Sequence, residues 1–165
     1  MNSLVQVHMP ATYFREYQAL RDELLETLTD DDLAFRVGGR SASLGAICRE
    51  MGEVERAYVD SFRTFRLRFE YRHPDPRIDS SVGALAAWYA ELDRDLDEAV
   101  AALSEDEIAT RRIVRSDFDI DEFSPLPATQ LDIYREALLI FYGKVSVYLR
   151  AMGKPLPGHW QAWIG

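Results

Sequence analysis

The residues best suited to chemistry in this 165-residue chain are few and scattered. Its three histidines, His8, His73 and His159, fall in an N-terminal arm, a proline-flanked loop and the tail. Each reads as an ordinary surface or capping histidine; a metal site would have to be assembled from three distant loops. Cys48 is the single cysteine and stands beside Arg49, a neighbour that can lower a thiol pKa and favour the nucleophilic thiolate. The plainer reading is a small residue packed in a helix. Asp117, Asp119 and Asp121 alternate like calcium ligands, but the glycine and the twelfth-position glutamate of an EF-hand loop are missing. No Gly-x-Gly-x-x-Gly, Walker loop or His-Glu-x-x-His occurs. Arg49, Arg56, Arg63, Arg66, Arg68 and Arg72 gather in one stretch. The acids Glu50, Glu53, Glu55, Asp60 and Glu70 lie among them, so the stretch reads as a solvated helix face.

Four segments of helical periodicity must position whatever chemistry exists. The first spans about 10–28, with Tyr13, Phe14, Tyr17, Leu20, Leu24, Leu25 and Leu28 in one stripe and Pro10 suited to a first turn. The second starts near Ser43, after Gly38-Gly39, and carries Leu44, Ile47, Met51, Val54, Tyr58, Phe62 and Phe65. It is expected to end before His73, because Pro74 and Pro76 forbid further helix. The third covers about 80–103, with Ser80 or Ser81 as cap and Leu85, Trp88, Tyr89, Leu92, Leu96, Val100 and Leu103 as apolar face. Ser104 to Glu107 is a capping box for a short helix. Residues 110–127 lack helical period and predict a short hairpin or an irregular loop. The fourth runs from about Ala128 to Met152 and stops at Gly153. Trp160 and Trp163 of the tail are expected to pack on the helices. Residues 1–165 thus read as one all-α domain, an antiparallel four-helix bundle with a longer irregular connection before the last helix.

Two stretches carry a family resemblance: LTDDDLAFRVGGRSASLGAICREMGEVERAYVDSF from Leu28 and YREALLIFYGKVSVYLRAMGKPLP from Tyr134. Leu-Thr-Asp, an irregular link, Ser-Leu-Gly opening the second helix and Glu55 follow in order. Gly143, Leu149, Arg150, Gly153 and a proline close the pattern. In this order the chain resembles the DinB/YfiT-like family of small bacterial bundle proteins over almost its whole length. The resemblance implies a divalent-metal site of three histidines, one in the second helix and a His-x-x-x-His pair in the fourth. A spacing of four sets such a pair on one helical face, where both can reach one metal. The matching positions here are Glu50, Ala137 and Phe141, with Tyr142, Gly143 and Lys144 where the family has Arg-Gly-Gln. A methyl group and a phenyl ring donate no electron pair, so no metal and no cofactor are expected. Glu50, Tyr58, Tyr134, Ala137 and Phe141 then form the candidate pocket, joined by Tyr13 and Tyr17 from the first helix. The aromatics are either plain core or the walls of a non-metal pocket for a small ligand.

The net charge of −9 repels phosphates and anionic lipid surfaces, which argues against nucleic-acid and membrane partners. No apolar run reaches membrane-span length, and residues 1–10 lack a signal-peptide pattern. A lone cysteine excludes an intrachain disulfide, so the expectation is cytoplasmic. The resemblance implies a homodimer, and Phe62, Phe65 and Phe69 are candidates for its surface. Three functions stay open. One is a DinB-like module, without its metal, that binds a small ligand. Another is an enzyme of the family's thiol-transferase or hydrolase type with substitute ligands, which the missing histidines disfavour. The third is a homodimeric scaffold or stress-response protein.

Overall fold

A computed structural model describes residues 1–7, 14–115 and 123–164, apart from the side chains of Val7, Trp163 and Ile164. Seven α-helices occur among the described residues: α1 (Ser3–Val7), α2 (Phe14–Thr27), α3 (Leu44–Thr64), α4 (Val82–Ala101), α5 (Glu105–Thr110), α6 (Pro127–Ala151) and α7 (Gly158–Ile164). The protein is all-α but for two dipeptide strands, β1 (Arg66–Leu67) and β2 (Val114–Arg115). The helices begin where their caps dictate. The Ser43 hydroxyl accepts from the Ala46 amide at 3.1 Å and the Ser81 hydroxyl from the Ala84 amide at 3.3 Å. Ser104 and Glu107 close the capping box of α5, and Pro127 stands in the first turn of α6. At the end of α6, Gly153 takes φ 71°; its amide donates to the Arg150 carbonyl and that of Lys154 to the Leu149 carbonyl. This is the paired Schellman pattern expected of a left-handed glycine stop.

The four long helices close a ring: α3 packs on α4 and α6, and α2 packs on the same two. Their apolar stripes meet in one core that includes Leu24, Leu44, Tyr89, Leu96, Tyr142 and Leu149. Two glycines of α3 set how closely its neighbours approach. A Cβ on Gly45 would lie 1.9 Å from the Asp79 carbonyl oxygen, and one on Gly52 would lie 2.4 Å from the Trp88 ring. Both chain ends are stitched on. The Asn2 amide donates to the carbonyls of Val100 and Leu103, each at 2.8 Å, and the buried Trp160 indole donates to the Leu20 carbonyl at 2.8 Å.

Three expectations need correction or qualification. The second helix ends at Thr64, well short of His73, because Phe65 turns left-handed (φ 56°). Arg66–Leu67 then pairs in parallel with Val114–Arg115, satisfying backbone groups that a longer helix would have satisfied internally. Of the stretch expected to be a hairpin or an irregular loop, Thr110 ends α5, 111–113 and 123–126 are irregular and Val114–Arg115 pairs in parallel with β1 rather than in a hairpin, while 116–122, with Asp117, Asp119 and Asp121, lie outside the described residues. Phe62 and Phe65 are buried, and Phe69 packs edge-on against Tyr58 at 6.2 Å. Phe62 and Phe65 belong to the core and offer no free dimer surface, whereas Phe69 is partly buried and borders an open groove. His8, Pro10 and Tyr13 also fall outside the description, as does the Trp163 side chain.

Candidate functional site

The stripe of α3 that faces α6 presents Ile47, Glu50, Met51 and Val54 to a groove. From α6 come Ala137, Ile140, Phe141 and Lys144 at the three-and-four spacing of one helical face. The groove encloses about 140 Å³. Ile47, Met51 and Phe141 form a buried floor, while Glu50 and Lys144 stand exposed at the rim. Glu50, Ala137 and Phe141, three positions 87 or more residues apart except for the last two, are therefore side by side in space. Glu50 and Lys144 make no ion pair with each other or with any other described residue. Beyond Glu50 and Val54 the groove opens toward Glu53, Phe69 and Arg72. Arg72 is held 3.8 Å from Glu53, which also accepts from the His73 amide.

Tyr58 and Tyr134, the other candidate pocket residues, do not line this groove. Their rings meet at 4.9 Å inside the core, and Tyr134 also packs 5.7 Å from Phe14. Tyr17 is likewise interior; its carbonyl accepts from the Tyr142 hydroxyl.

Behind these rings lies a polar centre that the sequence reading did not single out. Arg21 of α2, fully buried, donates to the Glu55 carboxylate of α3 and, at 2.6 Å, to Asp93 of α4. The Gln18 amide donates to the same Asp93 oxygen at 2.6 Å. The guanidinium stacks 4.1 Å over the Tyr89 ring, and the Tyr89 hydroxyl donates to the Cys48 carbonyl. Burial opposes charge on Arg21, yet Glu55 and Asp93 hold it firmly protonated. Burial pushes the Glu55 carboxyl up to about 7, with Arg21 pulling it down and Asp93 raising it further. Arg21 Nε, Glu55 Oε1 and the Tyr134 hydroxyl have no hydrogen-bond partner among the described residues. Glu55 is thus no part of a solvated face, as its place among the arginines had suggested. The signal was present: Arg21 and Glu55 sit inside the apolar stripes of their helices, four residues after Tyr17 and Met51.

Other candidates resolve into structural roles. Cys48 is fully buried, and burial pushes its thiol up to about 12, the reverse of a reactive thiolate. Arg49 instead pairs with Asp79 at 3.1 Å and Glu53 at 3.7 Å. Arg56 and Arg63 both bind Asp95, at 2.9 and 3.0 Å. His73 packs edge-on against Trp88 at 4.4 Å. His159, largely exposed, joins its Nδ1 to the Glu23 carboxylate, which raises the basicity of the ring. Among the described residues no three His, Cys, Asp or Glu side chains are grouped to hold a metal ion. No helix there is long and apolar enough to cross a membrane. No protein-family model matches this chain, and no curated protein matches it.

Proposed function

We propose that this protein is a DinB/YfiT-like antiparallel four-helix bundle whose family metal position has become a metal-free pocket for a small, largely apolar ligand. The reading rests on one observation: Glu50, Ala137 and Phe141, the three positions matched to the family's histidines, line a single groove between α3 and α6. One carboxylate with a methyl group and a phenyl ring cannot make the three- or four-donor shell a transition metal requires. The same groove has an apolar floor and charged groups only at its rim, the usual composition of a small-molecule site. Its 140 Å³ is close to the roughly 150 Å³ known to accept a benzene-sized guest. The protein acts in this reading as a cytoplasmic binding module rather than an enzyme. It is homodimeric in this reading, with the exposed Leu139 and Val147 of α6, which do not line the groove, as the apolar surface for the second copy.

Thermal denaturation with indole as probe tests the pocket. Indole is expected to raise the midpoint in a concentration-dependent way. Ala137→Trp, which fills the groove from a half-buried position, is expected to abolish that rise while leaving the fold intact. An equal rise in both proteins places the binding elsewhere and defeats the proposal.

A further inference from the structure

The rim of the groove is chemically two-sided. Glu50 brings a carboxylate from α3 and Lys144 an ammonium from α6, and both face the same opening. They form no ion pair with each other, and no other described residue neutralises either one. Both side chains are solvent-exposed, where closing into a pair would gain them little, so each is available to a ligand. Here they stay apart across an apolar floor of Ile47, Met51 and Phe141. We infer that the groove takes a small zwitterion with an apolar side chain, namely a free apolar α-amino acid, with its ammonium on Glu50, its carboxylate on Lys144 and its side chain on the floor. The inference rests on the pocket reading above and makes it specific.

The charge pattern favours a zwitterion over the simpler ligand classes. A monoanion would satisfy Lys144 and be repelled by Glu50; a monocation would do the reverse. A neutral apolar molecule would fill the floor and leave both rim charges to water, gaining nothing from either. Only a ligand carrying both charges close together, with an apolar body to one side, completes every surface of the groove. Its volume of about 140 Å³ accommodates one side chain of leucine or phenylalanine size and no longer peptide.

Calorimetric titration of the full-length protein with four probes tests this: L-phenylalanine, 2-phenylethylamine, 3-phenylpropanoate and the neutral 2-phenylethanol. L-Phenylalanine is expected to bind about tenfold more tightly than either singly charged analogue, as one charge-assisted contact at a partly exposed rim supports. Glu50→Gln should remove the advantage of phenylalanine over phenylpropanoate, and Lys144→Gln its advantage over phenylethylamine. If all four probes bind alike, the zwitterion inference falls and the apolar pocket stands. If none binds, or if binding survives Ala137→Trp, the pocket reading falls and this inference falls with it.

Discussion

At the residue scale the decisive feature is the charge imbalance of the buried centre. One guanidinium, Arg21, faces two carboxyls, Glu55 and Asp93, from neighbouring helices, with Tyr89 and Cys48 neutral beside them and Tyr134 and Tyr142 neutral from α6. Asp93 retains contact with solvent and Glu55 has none. A proton on Glu55 therefore balances the centre, and burial raises that carboxyl from its ordinary value of about 4.3 toward 7. The folded state then holds a proton through this window that the unfolded chain has released, so stability falls as pH rises from about 5 to 7. Urea midpoints measured across that range should decline, and Glu55→Gln, which mimics the protonated form, should flatten the decline. A steeper decline in the variant would contradict this assignment. Arg21→Met leaves Glu55 and Asp93 without a counter-charge and should cost about 3–5 kcal/mol, read from the same denaturation curves. None of this was legible from charge runs, because the partners sit on three different helices, 34 and 72 residues from Arg21. What one sequence does show is a charge inside an apolar stripe, which occurs on both α2 and α3.

At the scale of elements, the glycines of the helices divide by what surrounds them. Gly52→Ala forces a methyl group onto the Trp88 ring at 2.4 Å. The overpacking should cost about 1–3 kcal/mol and exceed the gain in helix propensity of roughly 1 kcal/mol. Gly143, in the middle of α6, has nothing within 4 Å of its Cβ position, so Gly143→Ala should stabilise by about 0.5–1 kcal/mol. Thermal melts of the two variants are expected to move in opposite directions; a gain in both would mean that α4 can shift away from α3. The starts and stops of the helices were readable because caps are local: Ser43, Ser81, Ser104, Pro127 and Gly153 all behave as their chemistry dictates. The early end of α3 was not, although Phe65-Arg66-Leu67-Arg68-Phe69-Glu70-Tyr71 alternates apolar and charged residues with the period of a strand. The proline rule marks where helix becomes impossible, whereas pairing with Val114–Arg115, 48 positions away, decides where it stops. That is a long-range contact no local pattern contains.

At the scale of the molecule, the ring of four helices brings α3 against α6 and so unites positions that share no local signal. The groove residues Glu50, Ala137 and Phe141 were picked out together only by the resemblance to the DinB/YfiT-like pattern, since no local signal links them. Tyr58 and Tyr134 were assigned to the same pocket by proximity on their helices, and their faces instead turn to the core, where a large ring gains more contact than at a groove rim. The exposed apolar face of α6 predicts association. Sedimentation should show a species of twice 18.9 kDa, and Val147→Glu should shift it toward the monomer. The central claim of the proposal is that Glu50, Ala137 and Phe141, the positions matched by resemblance to a DinB/YfiT-like metal site, hold no metal and line an apolar pocket instead. The most direct test is metal content per chain of untagged protein after incubation with zinc and nickel and removal of free ions. The account predicts well under one equivalent, unchanged by Glu50→Ala; one bound metal per chain that disappears in Glu50→Ala would contradict it.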